Sequence, residues 1–377
     1  MLGGTGNIGR WVVRDLFDFS DADIVVAAPE RKAEKLVRSF RSARVTSASV
    51  DVRNVSATAR VLRNSDVVVN CVIYYFNLQV MRACLKAGAH YLDVGGLFHM
   101  TRKQLKLHAQ FKKKGLLAVL GCGATPGITN ILAAHGVQFF DNIDEIHISF
   151  GDKDYTRYHQ PFVLPYSLHT LFDECTMKPA VFSHGTLRMV KPLSGSEFIN
   201  FPAPVGQQKA FYTLHSEVAT LPSSFQLKEC SFRAAFDDVF IHQIRFLIDA
   251  GFASPEKISV DGMKVAPKNV TAAVMGKWLP EPGTKIRDVE LLRVKLCGKK
   301  SGRKLHKVLY CATRSNKKHN IPAGTYDTAV PASVVAQMIA HGRIHATGVL
   351  PPERCVPPEL FFRELRKRKI RVLVGKV

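Results

Sequence analysis

The chain has 377 residues, too many for one ordinary hydrophobic core, and we expect about two domains. Hydrophobic residues make up 46% of it, but no apolar run approaches the roughly 18 residues of a membrane-spanning helix and no signal segment precedes the first motif, so we predict a cytoplasmic protein without a membrane partner. The formal net charge of +22 indicates affinity for anions, yet the basic residues are not organised with aromatic residues or in a recognition module. We therefore predict a solvated basic surface and no nucleic-acid partner.

In the first third of the chain, helical patterns alternate with short apolar runs. The predicted helices are 9–17, 32–40, 56–62, 78–87 and 101–113, and the predicted strands are 24–28, 45–51, 66–71, 90–94 and 116–120. Strands that alternate with helices are typical of a parallel sheet with right-handed crossovers, which is an α/β fold.

The pattern changes after Pro126-Gly127. Alternating runs at 143–150, 290–296 and 307–312 predict a largely antiparallel or mixed sheet, which makes the second domain α+β. Helical patterns follow at 330–340 and 358–368, and the basic tail leads into a strand near Val372. We place the domain boundary near residue 125.

The eight cysteines are scattered along the chain, without a C-x-x-C motif or a Cys/His cluster at zinc spacing. In a chain without an export signal this distribution favours reduced thiols over a disulfide framework. We predict no metal site.

A glycine turn opens the chain: Gly4, Thr5, Gly6, Asn7, Ile8 and Gly9 fit G-x-G-x-x-G. The first glycine permits a tight turn, the second lets a pyrophosphate approach the backbone, and the third lets helix and strand pack closely. The amphipathic helix and the strand that follow are the context in which this motif predicts a Rossmann-type dinucleotide domain.

The first strand of that domain is apparently truncated, since only Met1 and Leu2 precede the turn. Either the N-terminus is incomplete or the start of the chain was assigned too late. A missing central strand would leave its neighbours' backbone groups unpaired, at about 1–3 kcal/mol for each buried group, so we expect weakened cofactor affinity.

The residues after the second strand favour NADP(H) over NAD(H). An NAD site usually has an acid about 20 residues after the glycines, but Ala28 is there, and Arg31 and Lys32 follow where a 2′-phosphate would lie. Glu30 could still turn inward.

Residues at the ends of later strands complete the predicted cofactor site, with the last two near the nicotinamide: Asp51, Val52, Cys71 and Val72.

Two further strand ends carry candidate catalytic groups. Asp93 ends the strand 90–94, where open α/β sheets bind ligands, but it could equally cap the next turn. Cys122 and Thr125 lie in the segment 121–127, which either lines the nicotinamide or forms an inter-domain hinge.

The densest polar group of the second domain is 212–217. On a strand, His215 and Glu217 face the same side, and such a pair can hold an α-amino acid or move a proton. A structural ion pair is the alternative. No tyrosine is followed four residues later by lysine, which excludes the catalytic pair of short-chain dehydrogenases.

Segments along nearly the whole chain resemble the saccharopine dehydrogenase-like family, which includes saccharopine reductases, carboxynorspermidine dehydrogenases and lysine 6-dehydrogenases. The His-Ser-Glu segment and the Gly-x-x-Pro-Gly segment are its most specific parts. The similar stretches, in the expected order, are 2–9, 66–72, 83–95, 121–130, 201–224, 326–331 and 348–366.

The resemblance implies a Rossmann domain (1–125), a substrate and dimerisation domain (126–325) and a C-terminal segment (326–377) that folds back on the first domain. It also implies a homodimer that transfers hydride at a CH–NH or CH–NH2 carbon of an amino-acid or polyamine-type substrate such as lysine or saccharopine. The family often has Asp where this chain has Thr125, and Gly-Pro where it has Ile73-Tyr74-Tyr75, and these departures bear on the substrate more than on the fold.

The mechanism that we expect is positioning and charge. Polar groups including His215, Glu217, Thr125 and Arg233 hold the substrate between the domains, and a proton acceptor, with Asp93 and Cys122 as further candidates, helps form or hydrolyse the imine. The alternative is a sensor or scaffold that binds dinucleotide without turnover.

Overall fold

The structure, a computed structural model, describes residues 1–29, 32–160, 163–278, 280–281 and 283–375. They form two large sheets with helices on both. No helix among these residues is long and apolar enough to cross a membrane. All eight cysteines are free thiols.

The first sheet is parallel, and helices connect its strands. Its strands are β1 (Ile24–Ala28), β2 (Val45–Ser49), β3 (Val67–Asn70), β4 (His90–Asp93) and β5 (Leu117–Val119), and its helices are α1 (Gly9–Phe19), α2 (Lys32–Phe40), α3 (Val55–Val61), α4 (Asn77–Ala87), α5 (Leu97–Leu105) and α6 (His108–Lys113). The predicted helix 101–113 is wrong as a single element, because the backbone of Leu107 (φ −85°, ψ 2°) leaves the helical region between α5 and α6.

Leu2 lies between β1 and β3 and joins the pair β1-β2 to the strands β3, β4 and β5. It forms parallel bridges with Ala27 of β1 and Asn70 of β3, and its N–H donates to the carbonyl of Val69 at 3.0 Å. The carbonyl of Met1 accepts from the N–H of Ala27 at 2.8 Å. The expectation that β1 and β3 lack a partner between them is therefore wrong at Met1 and Leu2.

The second sheet is mixed and has nine strands in the described part of the chain. The strand order is β17-β15-β14-β6-β11-β10-β9, with β7 beside β11 and β8 beside β7; only β6 and β11 pair in parallel. The strands up to β15 are β6 (Asn142–Asp154), β7 (Ala180–Ser183), β8 (Thr186–Met189), β9 (Glu197–Asn200), β10 (Gln207–Tyr212), β11 (Glu229–Ala235), the separate hairpin β12 (Ile258–Val260) and β13 (Met263–Val265), β14 (Asp288–Lys300) and β15 (Arg303–Arg314).

Five helices accompany this sheet: α7 (Ile128–Val137), α8 (Leu168–Thr176), α9 (Leu221–Phe225), α10 (Asp238–Asp249) and α11 (Pro267–Met275). Alternating residues of the long strands divide between two faces. On β14, Leu292, Val294 and Leu296 point into the main core, which α7 covers. We call this the inner face and the opposite one the outer face.

The C-terminal segment contacts both sheets. It consists of α12 (Ala323–Ala340), β16 (Gly348–Leu350), α13 (Pro358–Lys367) and β17 (Arg371–Gly375). Helix α12 packs on α1, and β16 extends the first sheet by pairing in parallel with β5. The last strand departs from the expected return to the first domain, because β17 pairs with β15 of the second sheet.

Candidate active site

The glycine turn between Leu2 and α1 has the geometry of a phosphate cradle. A Cβ on Gly9 would lie 2.2 Å from the carbonyl oxygen of Gly3, and one on Gly4 would lie 2.9 Å from the side chain of Val26. A Cβ on Gly6 would meet only the Gly3 oxygen, at 3.3 Å, and Gly6 is exposed. The fold itself thus needs Gly4 and Gly9, whereas the absence of a side chain at Gly6 suits a ligand at the start of α1.

The strand ends next to the turn supply the rest of the predicted cofactor site. Ala28 is buried at the end of β1, while Glu30 and Arg31 lie outside the described residues. Asp51 is exposed after β2, and hydrogen bonds from Arg53 lower the pKa of its carboxyl group. Val52 beside it is half-buried.

The two residues after β3 lie directly under the glycine turn. A Cβ on Gly3 would be 2.8 Å from the carbonyl carbon of Cys71 and 2.9 Å from the amide nitrogen of Val72. Burial raises the pKa of the Cys71 thiol to about 12, so the group is neutral. This placement suits packing against a cofactor and not covalent chemistry.

The carboxylate of Asp93 is surrounded by hydrogen-bond donors of the protein. It is 1% exposed, and although burial raises its pKa, five donors occupy both oxygens. They are the Tyr91 hydroxyl (2.7 Å), the side-chain amides of Gln104 (2.7 Å) and Asn77 (3.2 Å), and the backbone N–H groups of Gly95 (3.0 Å) and Gly121 (2.8 Å). These hydrogen bonds favour the capping alternative for Asp93, which holds together the loops that follow β4 and β5.

Cys122 is unsuited to catalysis. Its side chain is 1% exposed, and burial raises the pKa of the thiol well above its ordinary value. Thr125, in the same loop after β5, points instead toward the second domain, where its hydroxyl lies 3.1 Å from Nδ1 of His215. The loop 121–127 thus contributes one polar group to the boundary between the two sheets.

His215 lies between two carboxylates at this boundary. Its Nδ1 is 3.5 Å from Glu217 Oε2, and its Nε2 is 3.5 Å from Glu174 Oε1. Burial by itself lowers the pKa of His215, but the two carboxylates outweigh it and raise the pKa above the ordinary value. The two carboxylates therefore favour the protonated form of the imidazole.

The backbone around this pair differs from the predicted strand. β10 ends at Tyr212, and Glu217 begins a 3-10 turn, Glu217–Ala219. The N–H of Leu214 donates to the carbonyl of Glu174 at 3.1 Å, so at this point the backbone is hydrogen-bonded to the α8 helix and not to a strand.

The two side chains also lie inside the protein and not on the surface of a strand. His215 is 6% exposed and Glu217 is fully buried, with its Oε1 accepting a hydrogen bond of 3.0 Å from the Thr129 hydroxyl. The 3-10 turn places the two side chains close together in the interior of the protein, whereas a strand would have placed them side by side on one face.

A second polar group, missed from the sequence, lies beside the first. Asp173 of α8 accepts from the hydroxyls of Tyr74 (2.8 Å) and Tyr75 (2.5 Å), and its other oxygen lies 2.5 Å from Nζ of Lys268. The tyrosines follow β3, so this group joins the first sheet to α8 and α11. The departure from the family pattern at Tyr74-Tyr75 was its only sequence signal; Asp173, Glu174 and Lys268 gave none.

Arg233 lies apart from the group around His215. It follows Phe232 on β11, and Phe232 stacks on His215 from the inner face. Since successive strand residues point to opposite faces, Arg233 lies on the outer face, where its guanidinium donates to Gly195, Ser231 and Tyr212. Its guanidinium therefore lies on the opposite face of β11 from His215, and its role in substrate binding stays a prediction.

A glycine turn at the start of α1 and the loop 121–127, whose Thr125 contacts His215, lie at the carboxyl ends of strands of one parallel sheet, an arrangement typical of the class of NAD(P)-dependent oxidoreductases. The chain belongs to the saccharopine dehydrogenase family. The family model of the saccharopine dehydrogenase NADP binding domain matches residues 1–119, and that of the saccharopine dehydrogenase C-terminal domain matches residues 123–370.

Named relatives cover nearly the whole chain. Carboxyaminopropylagmatine dehydrogenase of Synechocystis is 26% identical over 97% of this chain and 94% of its own length. Carboxynorspermidine synthase of Vibrio cholerae is 24% identical over 94% of this chain and 91% of its own.

Two solved structures share the fold. Saccharopine dehydrogenase (L-Glu forming) of Saccharomyces cerevisiae has a TM-score of 0.74 at 14% identity, covering 100% of this chain and 99% of its own. Homospermidine synthase of Legionella pneumophila, in complex with NAD, has a TM-score of 0.69 at 14% identity, covering 99% of this chain and 90% of its own.

Proposed function

We propose that this oxidoreductase interconverts an imine and a secondary amine with NADP(H), and that the amine is a carboxylated polyamine. One observation carries the proposal: His215 lies between Glu174 and Glu217 beside Thr125, at the edge of the first sheet where the cofactor turn lies. Forming or hydrolysing an imine requires proton transfer near neutral pH. An imidazole with a raised pKa is suited to that transfer.

The charge of this group favours a cationic substrate. Two carboxylates, Glu174 and Glu217, surround one imidazolium, so the group is net negative when all three are ionised. Such a site compensates ammonium groups in a protein that is otherwise strongly basic. The names of the Synechocystis and Vibrio relatives, a carboxyaminopropylagmatine dehydrogenase and a carboxynorspermidine synthase, support a polyamine over lysine.

The chain's own residues have separate tasks in this proposal. The turn at Gly6 and the start of α1 bind the pyrophosphate, and Cys71 and Val72 pack near the nicotinamide. When bound, the dinucleotide supplies or accepts the hydride. His215 donates or accepts the proton at the substrate nitrogen, while Glu217 and Glu174 keep the imidazole charged and oriented.

Turnover of defined substrate pairs tests the reaction. Purified protein is mixed with NADPH or NADH and with di- or polyamines paired with aldehydes or keto acids, and loss of the reduced nicotinamide absorbance is followed. We expect a polyamine pair to give a higher kcat/KM than lysine with a keto acid. Tight cofactor binding with no turnover of any pair would contradict the proposal and favour a dinucleotide-binding sensor.

A preference for NADP(H) is part of the proposal. It rests on Ala28 in place of an acid at the end of β1 and on Lys32, exposed at the start of α2. Losing one charged contact to a 2′-phosphate should weaken NADPH binding by about 1–3 kcal/mol and leave NADH binding unchanged. We expect weaker NADPH binding in Arg31→Ala and in Lys32→Gln. Lys35→Gln is the control and should bind NADPH as the wild type does, because Lys35 is exposed one turn further into α2. Equal NADPH affinity in all three variants would contradict the preference.

A homodimer is also proposed. Large apolar side chains are exposed on α10, on the hairpin and on α11: Phe246 (67%), Met263 (65%) and Val274 (52%). An exposed apolar surface of this kind is typical of a protein interface. Light scattering of the purified chain should give twice the mass of one chain, and Phe246→Lys should shift the mass toward the monomer.

A further inference from the structure

The outer face of the second sheet carries a cavity that the proposed reaction does not use. It measures about 130 Å³, and its polar lining residues are His147, Ser149, Glu197, Arg233, Arg293 and Lys295. We call it the outer-face cavity. It lies behind β11 as seen from His215.

Strand register aligns its central groups. Arg293 of β14 is opposite Ser149 of β6, and Ser149 is opposite Arg233 of β11. Lys295 is two residues from Arg293 on the same face of β14 and is opposite His147. Three adjacent strands thus direct a row of hydrogen-bond donors at one cavity.

Two of these donors lack partners. Ser149 is 1% exposed, and its hydroxyl makes no hydrogen bond. Nε of Arg293 is likewise buried without an acceptor. A buried polar group without a partner is unfavourable by about 1–3 kcal/mol, which a ligand with several oxygen acceptors would remove.

The charges at the cavity are unbalanced. Glu197 pairs with Arg233 at 3.4 Å, and Glu145 contacts His147 at 3.3 Å. Within the described part of the chain, no acid pairs with Arg293 or Lys295. Two neighbouring cations without a counter-charge, beside unpartnered donors, match an anion.

We propose that the outer-face cavity binds a small multivalent oxyanion of the phosphate class. Arg233 lines one side of the cavity, and its orientation is fixed because Gly195, Ser231 and Tyr212 already accept hydrogen bonds from its guanidinium. Arg293, Lys295 and Ser149 supply the contacts to the ligand. Phosphate fits the donors better than a monocarboxylate, since it offers acceptors in several directions to groups on three strands.

Calorimetry with inorganic phosphate tests the site. Phosphate is titrated into the full chain saturated with NADPH, in chloride of matched ionic strength, so that the cofactor turn is already occupied. We expect saturable binding that Arg293→Gln and Lys295→Gln each weaken about tenfold or more. Lys304→Gln is the control of equal charge: Lys304 is exposed on β15, opposite Lys299 and outside the cavity.

Several outcomes would overturn the site. If the wild type does not bind phosphate, the site is excluded. If the Arg293, Lys295 and Lys304 variants bind phosphate with equal affinity, the binding comes from the general positive charge of the surface and not from the outer-face cavity. Binding that disappears only when NADPH is present assigns the phosphate to the cofactor turn. Circular dichroism checks the fold of each variant. If a charge variant does not fold, Ser149→Ala replaces it, because this substitution removes one hydroxyl and no charge; it should also weaken phosphate binding. A three-carbon phosphate monoester as second ligand shows whether the cavity takes free phosphate alone.

Discussion

The imidazole of His215 lies flat against the phenyl ring of Phe232, with ring centroids 3.6 Å apart and planes 14° apart. Phe232 is a residue of β11, so the strand that supports the candidate active site on its inner face forms the wall of the outer-face cavity on the other. An aromatic face next to a charged imidazole favours the protonated form, in the same direction as the two carboxylates. The position of β11 in the sheet therefore fixes the place of His215, while Glu174 and Glu217 raise its pKa.

Removing one of the carboxylates should change the pH dependence of the reaction. In Glu217→Gln the amide keeps the hydrogen bond from Thr129 but no longer attracts the imidazolium, so the pKa of His215 falls. We expect kcat/KM to fall about 10²-fold, and its pH profile to move to lower pH. Because Glu217 is buried, we also expect a loss of about 1–3 kcal/mol in the free energy of unfolding.

A second histidine–glutamate pair offers the matched control. His135 and Glu359 are 3.0 Å apart, but the Glu359 side chain is 77% exposed. Glu359→Gln should leave kcat/KM unchanged and alter stability by about 0.5 kcal/mol or less. A wild-type pH profile in Glu217→Gln, with the expected loss of stability, would show that the pair only supports the fold.

The glycine turn allows cofactor binding to be separated from folding. The space at Gly6 predicts that Gly6→Val folds but loses dinucleotide affinity, because the side chain would occupy the place of the pyrophosphate. Gly9→Ala should destabilise the fold itself, since its Cβ would lie 2.2 Å from the Gly3 carbonyl oxygen. Calorimetry with NADPH and thermal melts on both variants check this, and wild-type affinity in a folded Gly6→Val would exclude the phosphate site.

These two sites show what the sequence could and could not predict. The glycine turn is a local pattern, and its role follows from a few consecutive residues. His215 and Glu217 were found as residues, but their conformation was predicted wrongly because contacts with the distant α8 helix turn the chain out of the sheet. The partners Asp173 and Lys268 are 95 residues apart in the chain, and no spacing rule connects them.

Buried acids on β6, β14 and α12 predict that stability falls as pH rises. Glu290 and Asp152 are opposite each other on β14 and β6, and Asp327 of α12 is a fully buried neighbour of Glu290. Burial, with the like charge of Asp288, raises the pKa of Asp327 above its unfolded value of about 3.9. The folded chain thus holds a proton that the unfolded chain has released, so this contribution to stability is complete below about pH 4 and is lost as pH rises through the folded pKa.

Asp327→Asn should remove that loss. We expect the variant to be more stable than the wild type by about 1–3 kcal/mol near pH 9 and little changed near pH 5, measured by urea unfolding at both values. Asp249→Asn, which changes an exposed residue at the end of α10, should show no such difference. A pH dependence that is the same in Asp327→Asn and the wild type would contradict the assignment.

The ion pair of Asp173 with Lys268, both in the second domain, should stabilise the carboxylate to which the first domain is hydrogen-bonded. Both side chains are buried, and Tyr74 and Tyr75 bring hydroxyls from the first sheet to the same carboxylate. Asp173→Asn leaves the lysine buried without a counter-charge, so we expect a loss of about 3–5 kcal/mol in the free energy of unfolding. Tyr75→Phe removes one of three donors to the carboxylate and should lose about 1 kcal/mol.

A double-mutant cycle separates the ion pair from its surroundings. Lys268→Met removes the buried charge and keeps an unbranched apolar chain, so Asp173→Asn combined with Lys268→Met should be less destabilised than Asp173→Asn alone. Urea unfolding of the two single variants and the double variant gives the coupling energy, which we expect to exceed about 1 kcal/mol. Additive losses would show that the two residues stabilise the fold independently, and the 2.5 Å contact between them would then not be what holds α8 and α11 against the tyrosines.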